Sequence, residues 1–131
     1  MMKRKLFALA CLILCTGSTP SAPLTENPRI QEMYSASIQY RSQAGLHAQH
    51  LDEDLCKIAQ RWANQMAAQN MMYHGGGEQV IGRGYANGTA CVQGWINSPG
   101  HRAFVMGGST RCGFGCQRGS NGQWFYAGVY R

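Results

Sequence analysis

Apolar residues recur every three or four positions in two stretches of the first half of the chain, which predicts two amphipathic helices. The first helix begins at Asn27-Pro28 and reaches about Ala44, where Gly45 ends it. The second helix begins behind Asp52-Glu53-Asp54 and reaches about Asn70, with the acids at the positive end of its dipole. The apolar stripes are Ile30, Met33, Tyr34 and Ile38 in the first helix, and Leu55, Ile58, Ala59, Trp62 and Met66 in the second.

The second half of the chain is richer in glycine and aromatic residues. We expect no regular element from 75 to 88, where glycines are frequent. A third helix is predicted from about 89 to 97, and Ser98 caps a short fourth helix that has Pro99 at its first position. Strands are predicted from 111 to 117 and from 123 to 130, on either side of the turn Ser120-Asn121-Gly122. Helices followed by strands indicate an α+β fold.

Residues 1–22 have the pattern of a signal peptide. Lys3, Arg4 and Lys5 precede an apolar run from 6 to 15 and a small, polar stretch. The run is shorter than the roughly 20 residues of a membrane span, so we expect no membrane span. Cys11 and Cys15 are candidate sites of a lipid anchor, but neither lies in a suitable sequence. Export as a soluble protein is therefore favoured. The mature chain is then one domain, residues 23–131.

The net charge of the chain is +6, from 12 Lys and Arg against 6 Asp and Glu. Three of these cations lie in the signal peptide, so the mature chain carries only three more cations than acids. They are scattered without a cluster, and we therefore expect no nucleic-acid partner.

Four cysteines lie outside the signal peptide: Cys56, Cys91, Cys112 and Cys116. An even number in an exported chain predicts two disulfides, for which three connectivities exist. If Cys112 and Cys116 lie on one strand they are roughly 13 Å apart, too far to bridge, and each pairs with a helical cysteine. The alternative is a local bridge across a glycine bulge. A zinc site is less favoured, because no Cys-x-x-Cys pair occurs.

His74, Glu78 and His101 are the candidate site residues. The first two flank three glycines, and His101 follows the helix start at Ser98, where the dipole favours a neutral imidazole. Glu78 is the only acid after Asp54, which disfavours glycosidase or aspartic-protease chemistry based on two carboxylates.

Other candidates for chemistry in the chain carry less weight. A capping Ser98 has its hydroxyl committed to the backbone, which disfavours a nucleophile. His47 and His50 have no ligand-spaced partner and are expected to be exposed. The tryptophans Trp62 and Trp95 are expected in the core.

The order of these motifs resembles the CAP superfamily of secreted proteins, also called SCP-like or PR-1-like. The resemblance rests on Trp95-x-x-Ser98-x-Gly100-His101-Arg102, preceded by His74 and Gly77-Glu78, and runs from about Ile30 to Tyr130. It implies a three-layer α-β-α sandwich of CAP type with a small antiparallel sheet and a central cleft. Members commonly carry two His and two Glu there, whereas this chain has Ala90 at the second Glu position, Gln79 after Glu78, and Ile38 for an Asn.

The resemblance implies a secreted, periplasmic or extracellular binding module. Its cleft would hold Zn²⁺ or another divalent metal through His74, His101 and Glu78, or a small-molecule, lipid or protein ligand. One alternative is a weak metal-assisted hydrolase or protease with Glu78 as the base, helped by His74 and His101. The other is a disulfide-stapled structural or inhibitory domain whose cleft is vestigial.

Overall fold

The computed structural model describes residues 21–131, and almost all of the predicted signal peptide lies outside this range. No helix in the described part is long and apolar enough to cross a bilayer. A 3₁₀ turn, Leu24–Glu26, precedes four helices and four strands. These are α1 (Pro28–Gln43), β1 (His50–Leu51), α2 (Glu53–Gln69), β2 (Val80–Arg83), α3 (Gly88–Ile96), α4 (Pro99–Val105), β3 (Arg111–Arg118) and β4 (Trp124–Tyr130). The four predicted helices and the two predicted strands are all present within one or two residues of the expected ends.

Polar side chains cap three of the helices, two of them (Asn27 and Asp52) at the predicted helix starts and Asn87 at a start for which no cap was predicted. Asn27 accepts from the N–H of Ile30 at 3.2 Å, Asp52 from that of Leu55 at 3.0 Å, and Asn87 from that of Ala90 at 2.8 Å.

Ser98 differs from this pattern. It stands at the N-cap of α4, but its hydroxyl makes no capping hydrogen bond, so the prediction that the backbone engages it is wrong. The start of α4 is exposed at Pro99 and Gly100, where water can serve the free N–H groups in place of a side chain.

The sheet has the order β1-β3-β4-β2. The β3–β4 hairpin is antiparallel in unbroken register from Cys112↔Tyr130 to Arg118↔Trp124, and β2 pairs antiparallel with β4. The two-residue β1 pairs parallel with β3, so the sheet is mixed rather than wholly antiparallel as predicted.

The expectation that residues 75–88 hold no regular element is wrong at β2. Its backbone is stabilised by β4, a distant partner that local composition does not reveal. Gly82 within it serves packing, because a Cβ there would lie 2.8 Å from the Sγ of Cys91. Glycine here permits close packing of α3 and does not interrupt the strand.

Helices cover both faces of the sheet, which confirms the α-β-α sandwich. On one face α2 packs against a core that includes Leu55, Met66 and Phe125. On the other face α1 and α3 pack over a second core, whose largest members are Ile30, Met33, Trp95, Phe114 and Tyr126. The α2 backbone approaches β3 closely where β3 has glycines. A Cβ on Gly113 of β3 would lie 2.3 Å from the backbone nitrogen of Cys56 on α2.

The two tryptophans predicted to lie in the core have different environments. Trp95 is fully buried, and its indole N–H donates to the carbonyl of Ile81 at 2.8 Å. Trp62 is only half-buried and packs at the margin of the α2 core.

The four cysteines are buried and carry free thiols. Cys112 and Cys116 lie on the same face of β3, with Phe114 between them, and the unbroken register contains no bulge. This geometry argues against the local bridge, because two residues four apart on a regular strand are out of disulfide range. Pairing of each with a helical cysteine stays a prediction.

Candidate functional site

Trp62 supports the loop that carries His74. The chain leaves α2 at Asn70, which adopts a left-handed conformation (φ 50°), and turns back along the helix. The Trp62 indole N–H donates to the carbonyl of Tyr73 at 2.8 Å, and the two rings meet edge to face. A Cβ on Gly76 would lie 2.4 Å from Cε3 of the indole. The glycines after His74 therefore let the backbone lie directly on the ring.

Glu78 holds this loop from inside. Its side chain is fully buried. Oε1 accepts from the backbone N–H of Gly75 at 2.9 Å and lies 3.0 Å from Nδ1 of His74, while Oε2 accepts from the N–H of Gly76 at 2.8 Å. A carboxylate beside Nδ1 keeps a proton on that nitrogen and leaves the lone pair of Nε2 for a ligand.

The C-terminal strand fastens the same loop from its other side. The backbone N–H of Tyr130 donates to Oε1 of Gln79 at 2.7 Å, and Nη2 of Arg131 donates to the carbonyl of Gly77 at 2.9 Å. Sequence reasoning did not assign Trp62, Gln79 or Arg131 to the site. Their only signal was the position of Gln79 immediately after the Gly-Glu pair.

His101 lies in the first turn of α4 and is half-buried. Burial lowers the pKa of this imidazole below its usual value, and the nearby charge of His74 lowers it further. The fold thus brings the two imidazoles within electrostatic reach of each other. A lowered pKa keeps His101 neutral near pH 7, which is the form that accepts a metal or a proton.

Large apolar side chains are exposed a few residues from each imidazole along the chain. The side chains of Met71 and Met72, just before the loop, are half exposed, and Phe104, one turn after His101 on α4, is 43 % exposed.

Residues 21–131 contain no group of three or more His, Cys, Asp or Glu arranged to hold a metal ion. Both oxygens of Glu78 are occupied by the loop, and Ala90, part-buried in α3, has no ligating atom. The candidate site therefore consists of the His74 imidazole, which the internal carboxylate of Glu78 supports, and the His101 imidazole within its electrostatic reach.

The remaining candidates lie apart from this centre. His47 and His50 are exposed in the connection between α1 and α2, as predicted. Within the described chain, the Ser98 hydroxyl makes no hydrogen bond with His101, so it lacks the partner that would activate a nucleophile.

The chain was compared with known protein families and curated proteins. A family model described as CAP, the cysteine-rich secretory protein family, matches residues 36–130. No curated protein matches the chain.

Three solved bacterial structures have a similar fold. An outer surface protein of Borrelia burgdorferi superposes with a TM-score of 0.61 at 15% identity, over 82% of this chain and 96% of that one. An extracellular protein of Bacillus anthracis that contains an SCP domain gives 0.63 at 22% identity, over 87% of this chain and 45% of that one. A cysteine-rich secretory protein of Staphylococcus aureus gives 0.53 at 16% identity, over 85% and 41%.

Proposed function

Because this chain belongs to the CAP family of cysteine-rich secretory proteins, we propose that it is a secreted binding module whose ligand site is centred on His74 and His101. The ligand we propose is a divalent metal such as Zn²⁺, with a small or lipidic molecule as the second candidate. The observation that carries this proposal is the buried carboxylate of Glu78, 3.0 Å from Nδ1 of His74.

The carboxylate–imidazole pair supports ligand binding because it fixes the imidazole. In metal sites, a carboxylate at one ring nitrogen orients the ring and raises the basicity of the other nitrogen. Burial lowers the pKa of His101, so its ring presents a nitrogen lone pair near pH 7. Two imidazoles fit Zn²⁺, Cu²⁺ or Ni²⁺ better than Mg²⁺ or Ca²⁺, which prefer oxygen ligands.

The same geometry favours binding over hydrolysis. A general base needs a free carboxylate face within hydrogen-bond reach of the attacking water. Glu78 is enclosed, and its two oxygens already accept from Gly75 and Gly76. With no second acid after Asp54 in the chain, the site lacks a group to replace it.

Secretion is the second part of the proposal. A signal-peptide pattern precedes the domain, and four cysteines suit an oxidising compartment. Two of the similar structures come from proteins named as extracellular or outer-surface.

Exposed apolar side chains close in sequence to the two imidazoles support the second ligand class. Met71, Met72 and Phe104 flank the elements that carry the two imidazoles. A small ligand with an apolar body would cover these side chains while a polar group meets the imidazoles.

Calorimetric titration of residues 23–131 with Zn²⁺ tests the metal. We expect binding that His74→Ala or His101→Ala abolishes, while His47→Ala and His50→Ala, which change exposed histidines elsewhere, leave it unchanged. Glu78→Gln should weaken binding about 10- to 100-fold, the usual cost of removing a group that supports a metal ligand.

Two results would oppose the proposal. If the folded protein binds none of Zn²⁺, Cu²⁺ and Ni²⁺, the proposal of a metal ligand is refuted and a structural domain is favoured. Metal-dependent turnover of a peptide or ester panel, lost in Glu78→Gln, would instead establish the hydrolase.

A further inference from the structure

Arg41 is a buried cation without an anionic partner. It lies at the end of α1 and is 4 % exposed. Its Nε donates to the carbonyl of His47 at 2.9 Å, and its Nη1 donates to those of Val105 at 3.1 Å and Gly107 at 2.7 Å. No carboxylate of residues 21–131 forms an ion pair with it.

Neutral carbonyl groups accept hydrogen bonds from Nε and Nη1 of Arg41 but do not neutralise its charge. Two of them come from the C-terminal end of α4 and its following turn, where the helix dipole gives partial stabilisation. A buried guanidinium normally has a carboxylate or phosphate partner, because removing a charge from water is costly. In the described chain, Nη2 has no protein acceptor.

A cavity of about 390 Å³ opens beside this cation. It lies between the connection after α1 and the turn before β3, and no acidic residue lines it. It is a different surface from the His74–His101 site, whose residues do not line it. Its apolar wall includes Leu46, Ala48 and Met106.

Further hydrogen-bond donors line the turn before β3. Among the described residues, the backbone N–H groups of Gly108 and Ser109 have no protein acceptor. Ser109 and Thr110, whose side chains carry hydroxyl donors, also line the cavity. Donors beside an unneutralised guanidinium, with no competing acid, are complementary to an anion.

We propose that this cavity binds a small organic carboxylate, whose anionic group pairs with Arg41 and whose short apolar body lies against Leu46 and Met106. The chemistry is shared by a short branched-chain acid and by the C-terminal carboxylate of a peptide that ends in an apolar residue. The apolar wall disfavours a fully hydrated inorganic anion.

Amide chemical-shift titration of the folded protein at low ionic strength tests this site, because salt screens the attraction. The probes are N-acetyl-leucine, its uncharged amide, isovalerate and inorganic phosphate. We expect N-acetyl-leucine to shift amides in 41–48 and 105–110, with at least about tenfold weaker binding of the amide, since a hydrogen bond to a charged group is worth roughly 1.5–3 kcal/mol. The affinities of N-acetyl-leucine and isovalerate distinguish the two sources: tighter binding of N-acetyl-leucine indicates a peptide terminus, and tighter binding of isovalerate indicates a free acid.

Gly108→Phe blocks the cavity without touching the buried arginine. A Cβ at Gly108 meets nothing within 4 Å, so the ring can occupy the opening, and Gly100→Phe is the matched control because its Cβ is equally free. We expect at least about tenfold weaker binding in the first variant and none of this loss in the second. Arg41→Met removes the charge and should abolish binding if the variant folds.

Three results would overturn the proposal. These are equal binding of the uncharged amide, unchanged binding in Gly108→Phe, and phosphate binding as tight as that of N-acetyl-leucine.

Discussion

Gln60 on α2 forms two hydrogen bonds with the backbone of a single residue, Cys116 on β3. Its Oε1 accepts from the N–H at 3.1 Å, and its Nε2 donates to the carbonyl at 2.6 Å. One turn earlier, the Sγ of Cys56 accepts from the N–H of Phe114 at 3.5 Å. Because β1 pairs with only the first residues of β3, α2 takes over as the hydrogen-bond partner of this edge, which protects it from pairing with other chains.

Replacement of Gln60 by Leu should destabilise the protein. The side-chain volume is similar, but the N–H and carbonyl of the buried Cys116 would lose their partners, at a cost of about 1–3 kcal/mol in the free energy of unfolding. Gln65→Leu, at an exposed position of the same helix without such contacts, should change this free energy by less than about 0.5 kcal/mol. Chemical denaturation monitored by circular dichroism measures both, and equal values would refute this role of Gln60.

Gly76→Ala should displace the loop that holds His74. The new methyl group would meet the Trp62 indole at 2.4 Å, so the ring or the loop must move, with a loss of about 1–3 kcal/mol. Gly100→Ala is the control, since it lies next to His101 and its Cβ meets nothing within 4 Å. Thermal unfolding and the imidazole proton shifts of His74 report the two effects. A Gly76→Ala protein with unchanged His74 shifts would contradict the supporting role of the ring.

The disulfide prediction becomes specific with the fold. Burial raises the pKa of Cys112 to about 12, and proximity of Cys56 adds to it; burial also raises the pKa of Cys91, with Cys116 as its neighbour. Sγ of Cys56 also lies 3.5 Å from the backbone nitrogen of Phe114, two residues after Cys112, and all four cysteines belong to one buried cluster. From this proximity we predict Cys56–Cys112 and Cys91–Cys116 in the exported protein. Each bridge should add about 2–4 kcal/mol to the free energy of unfolding, which reductant would remove.

Mass spectrometry of the unreduced protein can assign these bridges. Trypsin leaves Cys112 and Cys116 in one peptide, 112–118, so chymotrypsin is added to cleave after Phe114 and separate them. Peptides linked as Cys56–Cys116, or Cys112 linked to Cys116, would show the assignment to be wrong.

The pH dependence of stability should carry a contribution from His101. Its pKa in the folded protein lies below the usual 6.5 because of burial and then because of His74. As pH falls below 6.5, the unfolded chain takes up this proton before the folded one, so the free energy of unfolding decreases with falling pH until the folded pKa is passed. His74→Ala should move the pKa of His101 part of the way back up, since burial remains. Imidazole proton shifts followed against pH measure the pKa of His101. An unchanged or lower pKa in the variant would exclude an electrostatic effect of His74 on His101.

Much of the fold follows from local signals. The apolar stripes, the capping residues Asn27 and Asp52, and the hairpin turn near Asn121 predict four helices and two strands, and these elements form where expected. The motif around Trp95 and His101 also indicates the family. Such signals depend on residues a few positions apart in the sequence, so they can be recognised without the tertiary structure.

Local sequence patterns do not reveal the environment of a residue when a partner distant in the sequence determines it. Arg41 is buried in α1 although the sequence gives no sign of it, because the carbonyls of Val105 at the end of α4 and Gly107 in the following turn accept its hydrogen bonds. Strand β2 forms within a glycine-rich stretch because β4 supplies its hydrogen bonds. The side-chain partners of Glu78 were likewise hidden, since Gly75 and Gly76 reach it only after the loop folds over Trp62.

The sequence by itself therefore determined the helices, the hairpin, the family and the identity of His74, Glu78 and His101 as site candidates, because each depends on residues close together in the chain. Only the tertiary structure decided how these groups are arranged. It enclosed Glu78 as a support for His74 rather than leaving it exposed, and it set the imidazole of His101 near that of His74. Burial and long-range hydrogen bonds are properties of the packed molecule, and no local pattern specifies them.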